Sequence, residues 1–292
     1  MIRQLHCADN LDVLRGLPSG TAGVVYLDPP FNSGRDWYMK PQAGSREPVL
    51  AFTDKWKWTE ASAPLYKELT APGSRQRPAL EWFRGILGES GALAYLVHMA
   101  ARFPELHRVL GPQGGLVLHV DDTMCHYLKI LLDCVFGRGN FAGQIIWKRT
   151  SAHTKRGWAK VTDTILVFRR SDQAAWCGPD GLMRFGGHGD VWLDIPPVNA
   201  RARERLGYPT QKPLPLLTRI ISLVGKPGDI LLDPNCGCGT SLDAAQRLGL
   251  GWIGIDLFPA AISLTQARLR ALGADFEVHG AAVAPPPDGT LF

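Results

Sequence analysis

The stretch DILLDPNCGCGTSLDAAQRLGLGWIGID, residues 229–256, constrains the fold more than any other part of the chain. A short apolar run ends on an acid, Asp233, and two glycines, Gly237 and Gly239, follow in a tight turn. A helical pattern over 241–248 leads to a second apolar run, which ends on a second acid, Asp256. Strand, glycine turn, helix and strand at this spacing make a unit whose two strands are parallel. Parallel strands are covered on both faces, so they read as continuous apolar runs rather than alternating ones. AGVVYL at 22–27 and GLVLHV at 115–120 have the same character, and QIIW at 144–147 and DTILVF at 163–168 read as two more strands. Helical patterns span 91–110, before the turn cluster GPQGG, and 259–272. Strands alternating with helices predict an α/β fold, a doubly wound and mostly parallel sheet with helices on both faces.

With 292 residues, 45% of them hydrophobic, the chain can bury the core of one large α/β domain. The reading is a single domain over 1–280, with a flexible tail at 281–292. Residues 40–80 mix Pro, Gly and charge with Trp56 and Trp58 and read as a long loop or lid. Residues 171–200 read as irregular surface. The formal net charge of +5 favours a polyanionic partner, an argument about partners and not about fold. Six cysteines without a CxxC pair argue against a structural zinc site, and no metal is expected. No secretory leader or membrane-length apolar run is visible, so free thiols in a reducing cytoplasm are expected, with no membrane contact.

The glycine turn and its second acid point to a nucleoside. Asp256, about 20 residues beyond the turn, falls at the carboxyl edge of the neighbouring strand, where it can accept bonds from two ribose hydroxyls. A dinucleotide fingerprint wants a third glycine, but position 242 is Leu; a phosphate-binding loop wants Gly-Lys-Ser/Thr, and Gly239 is followed by Thr240. A nucleoside without a pyrophosphate remains, and S-adenosylmethionine fits, with Asp233 toward its ammonium. Upstream, YPTQKP places Thr210 and Lys212 just before a helix beginning near Leu214, a natural site for the methionine carboxylate.

DPPF, residues 28–31, closes the strand AGVVYL with two residues that lack an N–H. The exocyclic amine of a nucleobase is a poor nucleophile, because its lone pair is delocalised into the ring. An enzyme that methylates it must hold both amine hydrogens so that the nitrogen pyramidalises. The Asp28 carboxylate and the Pro29 carbonyl are two such acceptors, Pro30 stiffens the turn, and Phe31 is a face for a flipped-out base. The work is positioning and hydrogen bonding.

These motifs together resemble the permuted β class of amino-group DNA methyltransferases, the N-4/N-6 DNA methylase family. DPPF matches the catalytic motif, DPNCGCGT (233–240) the cofactor loop, YPTQKP (208–213) the segment before it, and HCADNLDVL (6–14) the family's opening segment. The order, catalytic half first and cofactor half last, is that of the class. The resemblance implies a circularly permuted Rossmann-like methyltransferase fold, with a catalytic half over about 1–170, an abbreviated target-recognition segment over about 171–207 and a cofactor half over about 208–275. It implies that Asp9 contacts the cofactor's adenine. With the residues argued above, the cofactor set is Asp9, Asn10, Asp28, Thr210, Lys212, Asp233, Pro234, Asn235, Cys236, Gly237, Gly239, Thr240, Asp256 and Leu257, and the catalytic set is Asp28, Pro29, Pro30 and Phe31. Asn235 stands where the family usually has Phe, so a stacking face is lost. In the family an Asp-Pro-Pro tetrad goes mostly with adenine and Ser-Pro-Pro mostly with cytosine. N6 of adenine in DNA is therefore the expected target, and N4 of cytosine the alternative. The rivals are an oxidoreductase with a degenerate glycine turn and a non-catalytic DNA-binding adaptor.

For double-stranded DNA, the candidate contacts are Lys148, Arg149, Ser151, His153, Lys155, Arg156 and Lys160, a cationic run with interleaved polar side chains and Trp158. DKWKWTE at 54–60 is a weaker candidate for clamping nucleic acid, and RARERL at 201–206 reads as an exposed helix that contacts phosphate. A homodimer and a cognate restriction enzyme or specificity partner are expected from the class, and relaxed recognition from the shortness of 171–207.

Overall fold

The computed structural model describes residues 1–39, 47–150, 157–174, 176, 189–199 and 201–280. The tail at 281–292 lies outside them. The chain up to residue 170 contributes β1 (Arg3–Cys7), α1 (Asn10–Gly16), β2 (Ala22–Leu27), β3 (Asp36–Met39), β4 (Val49–Thr53), α2 (Ser62–Leu69), α3 (Arg77–Leu87), α4 (Gly91–Val109), β5 (Leu110–Val120), α5 (Cys125–Phe136), β6 (Phe141–Lys148) and β7 (Thr162–Arg169). After β8 (Val191–Trp192) come α6 (Leu214–Val224), β9 (Ile230–Asp233), α7 (Thr240–Arg247), β10 (Gly251–Asp256), α8 (Pro259–Ala271) and β11 (Glu277–His279).

Nine strands form one sheet in the order β11-β1-β10-β9-β2-β5-β7-β6-β8. From β11 to β5 every neighbour is parallel. β7 runs against both β5 and β6, so the sheet is parallel around the site and mixed beyond β5, where β8 pairs parallel to β6. The apolar runs at 22–27 and 229–233 lie side by side, although most of the chain, β3 to α6, lies between them. β1 is inserted between β10 and β11, pairing Arg3 with Trp252 and Leu5 with Val278.

Helices cover both faces. Val25 and Leu27 of β2 pack with Leu14, Leu96, Phe103 and Leu128 of α1, α4 and α5. Val24 and Tyr26, pointing the other way, pack with Leu217, Leu242 and Ile262 of the later helices. Leu242, standing where a third glycine would be, is fully buried. The close approach of α7 to the sheet is provided instead by Gly254 on β10, where an added Cβ would collide with Leu242 Cδ1. α4 tolerates an internal proline because Gln76 Nε2 donates to the Ala100 carbonyl at 3.0 Å, the carbonyl that Pro104 leaves without its helical donor.

Some expectations need correction. The region read as a loop over 40–80 contains β4, which pairs with β3 just before the region, and α2, and α3 begins within it; residues 40–46 lie outside the described ones. Trp56 and Trp58 are not free to clamp nucleic acid: both are packed against the core, Trp56 edge-on to Tyr95 and Trp58 to Tyr66. Residues 201–206 form turns rather than a helix.

Gly254→Ala should lower the melting temperature by about 3–10 °C, the consequence of an overpacking cost of roughly 1–3 kcal/mol. Gly139→Ala, where an added Cβ meets nothing within 4 Å, should change it by about 1 °C or less. Thermal denaturation of the two variants beside the parent checks both.

Candidate active site

The strand order reverses between β9 and β2, and open α/β sheets hold their ligands beyond the carboxyl ends of the strands at such a point. Four acids stand on this edge: Asp9 after β1, Asp256 ending β10, Asp233 ending β9 and Asp28 after β2. They line one cavity of about 450 Å³. Every residue of the expected catalytic and cofactor sets lines it except Gly239. That glycine serves through its backbone, with φ +72° and an added Cβ only 2.6 Å from Thr265.

Gly237 also has positive φ, +51°, so both positions demand glycine. α8 holds the turn from behind: Thr265 Oγ1 donates to the Gly237 carbonyl at 2.8 Å, and Arg268 donates to the Cys238 carbonyl at 3.0 Å. Asp256 closes it in front, accepting from the Gly237 N–H and the Phe258 N–H, each at 2.9 Å. Asn10 Nδ2 donates to the Pro234 carbonyl at 2.9 Å, which ties the opening segment of the chain to the cofactor loop. Cys236 and Cys238 are buried and their thiols are pushed up by that burial, so they act here as small fillers.

Asp233 is buried and accepts from Ser241 Oγ and from the Asn235 N–H. Burial, reinforced by Asp28 and Asp256, outweighs these bonds and raises its pKa to about 7. Burial likewise raises Asp256 to about 6. Two acids poised near neutrality in a crevice suit a cationic ligand, which would favour their ionised forms.

On the other side of the reversal, Pro29 and Pro30 end β2 and turn Asp28 into the cavity. Lys212 Nζ donates to Asp28 Oδ2 at 2.6 Å and lies 5.3 Å from the centre of the Phe31 ring. The ammonium expected at a ligand carboxylate is thus placed on Asp28. At the start of α6, the Leu214 N–H donates to Glu204 Oε2 at 2.9 Å. The carboxylate seated at that helix start is the chain's own. Thr210 lines the cavity with φ +61°, an uncommon conformation for a β-branched residue.

Arg102 and Asp54 are charged residues of the site that were not singled out from the sequence. Arg102, from α4, donates to both oxygens of Asp9 at 3.2 and 3.1 Å and to Asn10 Oδ1, while Asp9 itself caps α1 through the Leu11 N–H. An arginine directly after the largely apolar run GALAYLVHMAA was the available signal. Asp54, 1% exposed, accepts from the backbone N–H groups of Phe31, Asn32 and Ser33. Bonds of that kind leave no mark in sequence.

A buried polar track underlies the same wall. Tyr26 Oη lies 2.9 Å from His119 Nδ1, and His119 Nε2 lies 3.1 Å from Asp163 Oδ2. Arg149 Nε sits 2.9 Å from the other oxygen of Asp163. His119 is therefore a satisfied core residue. Arg149 lines the cavity, whereas Lys148 and Lys160 do not, and Lys160 pairs with Asp122 at 3.0 Å on the surface. Trp158 is 98% exposed. Ser151, His153, Lys155 and Arg156 lie outside the described residues.

A family model described as DNA methylase (N6_N4_Mtase) matches residues 23–267. The chain belongs to this family of DNA methylases. It is 25% identical over 282 residues to the type II methyltransferase M.HpaI of Haemophilus parainfluenzae, covering 92% of this chain and 74% of that protein. Among other type II and type III relatives it spans 54% and 24% of their length. Its fold is that of TTHA0409 from Thermus thermophilus, a proposed DNA modification methylase crystallised with S-adenosyl-L-methionine. That match has a TM-score of 0.58 and 22% identity, and covers 96% of this chain and 100% of that one. It is also that of the cytosine-N4-specific PvuII DNA methyltransferase, with a TM-score of 0.57 and 14% identity over 91% of this chain and 86% of that one. Among the described residues no helix is long and apolar enough to cross a membrane, and no cluster of metal-binding side chains occurs.

The buried acids make stability depend on pH. A carboxyl whose folded pKa is raised binds more protons in the folded than in the unfolded state, so stability falls as pH rises from about 4 to about 7. Asp233→Asn removes its share of that fall. The melting temperature of the variant relative to the parent should therefore rise by several degrees between pH 5 and pH 8, from a linkage of roughly 2–4 kcal/mol. A difference that does not change with pH would contradict the assignment.

Proposed function

We propose that this chain transfers the methyl group of S-adenosylmethionine to the exocyclic N6 amine of adenine in double-stranded DNA. The observation that carries the reading is the single cavity in which the Asp28–Phe31 turn and the glycine turn with Asp233 and Asp256 face each other across the β2–β9 boundary. The pocket fits the cofactor in three respects. Two glycines with positive φ carry no side chain where the loop turns, two acids near neutrality await a cation, and the volume matches small-molecule sites.

When bound, the cofactor supplies an electrophilic methyl on a sulfonium. Asp233 and Asp256 would orient it through the methionine ammonium and the ribose hydroxyls. Asp28 and the Pro29 carbonyl would accept the two amine hydrogens of the base, drawing the nitrogen toward a pyramidal, nucleophilic shape, with Phe31 as the stacking face. Lys212 sits on Asp28 and reaches over Phe31, so it must shift as the base enters. The Asp-Pro-Pro tetrad supports adenine over cytosine. Lys148 and Trp158 offer a cation and an exposed ring for DNA, with Arg201 and Arg203 as further exposed cations.

Asp28→Ala should lower methyl transfer at least about 100-fold while leaving the dissociation constant for S-adenosylmethionine within about threefold of the parent. Equal loss of both would contradict the division of roles. Genomic DNA from a host expressing this chain alone, digested to nucleosides and resolved by mass, should contain N6-methyladenine; N4-methylcytosine in its place would overturn the choice of base.

A further inference from the structure

The catalytic turn has an unusual problem of support. Its acceptor carbonyl belongs to Pro29 and the next residue is Pro30, so neither can be anchored through an N–H. The rings fix two φ angles, but the peptide planes that follow must be held by something else. The first N–H groups available are those of Phe31, Asn32 and Ser33, and all three are donated to one carboxylate. Asp54 Oδ2 accepts from Phe31 and Ser33 at 3.2 and 2.7 Å, and Oδ1 accepts from Asn32 at 2.9 Å. A fourth donor, Trp56 Nε1, reaches Oδ1 at 3.0 Å.

Four donors fill the lone-pair sites of a carboxylate. An uncharged amide offers only one accepting oxygen, so the site demands an acid. Asp54 is held in turn by its own backbone, which exchanges bonds with Arg35 and Gly34 at 2.9 and 3.0 Å. Trp56 is fixed against α4, its ring 5.2 Å from Tyr95 and its backbone pressed on Gly91, where an added Cβ would collide with the Trp56 carbonyl. Asn32 has φ +62°, which this set of bonds maintains.

We propose that Asp54 is a positioning residue for methyl transfer: by gathering the three N–H groups after the prolines, it sets the direction of the Pro29 carbonyl and the plane of Phe31 against the target base. This assignment rests on the function proposed above. Asp54 bonds to the proline turn and not to the cofactor loop, so it acts on rate and not on cofactor affinity.

The test is single-turnover transfer of labelled methyl from S-adenosylmethionine to unmodified genomic DNA, with cofactor affinity measured by titration calorimetry on the same preparations. Asp54→Asn leaves two donors facing an amide nitrogen, and its transfer rate should fall about 100-fold, the scale of an ångström-sized misplacement. Its cofactor affinity should stay within about twofold. Trp56→Phe removes one donor of the four and should slow transfer by about two- to fivefold, again without change in affinity. A rate for Asp54→Asn within about threefold of the parent, or a parallel loss of rate and cofactor affinity, overturns the assignment alone. Should Asp54→Asn fail to fold, Trp56→Phe decides, and a parental rate in that variant overturns it. A parent protein that transfers no label to any DNA overturns the proposed reaction and this assignment together.

Discussion

The candidate site depends on a short seam. β2 and β9 pair in parallel through Val24 with Leu231 and Val25 with Leu232, and at this line the proline turn and the glycine turn meet. Parallel strands point the same way, so whatever follows each of them emerges on one edge. Asp28 and Asp233 are thereby brought close enough for the charge of one to raise the pKa of the other. Like charges in a crevice repel, and the fold offsets this with an ammonium from a third segment, Lys212, and with donors from Ser241 and the Asn235 backbone.

Both functional turns are shaped by groups that reach backbone atoms from outside. The glycine turn must stay bare where a ligand approaches, so its support comes from behind, from Thr265 and Arg268 of α8. The proline turn cannot donate where it matters, so its support begins one residue later, at Asp54. α4 serves both sides: its first turns receive Trp56, and further along Arg102 fixes Asp9 and Asn10, the latter bonded to Pro234. Charges are buried at Asp54 and Arg102 because several partners await each of them.

Much of this was legible in sequence, for identifiable reasons. β2, β5, β9 and β10 are covered on both faces at their cores and so show unbroken apolar runs. β1 is only half-buried, its RQLHC carries no such run, and its place between β10 and β11 depends on pairing that no local pattern encodes. The direction of β7 was equally hidden, because an apolar run carries no sign. β4, the partner of β3, lay in a region whose Pro and Gly content suggested a loop. Within the site, acids at strand ends and glycines at the turn announced themselves through spacing. Glu204 did not, since a charge in RARERL looks solvated until the Leu214 N–H is found to donate to it. Side chains that serve the backbone are the ones that sequence reading passes over.

The position of β1 bears on how the chain reaches this structure. Arg3–Cys7 precedes the other strands of the sheet in the chain, yet its two neighbours are Gly251–Asp256 and Glu277–His279, the last two. Until those emerge, one margin of the growing sheet stays unpaired, and Asp9 has no completed crevice to face. Such long-range pairing slows folding and leaves an open strand edge during synthesis. The strands up to β7 cannot close their sheet as an independent unit ahead of the rest, and the site forms only when nearly all of the domain is present.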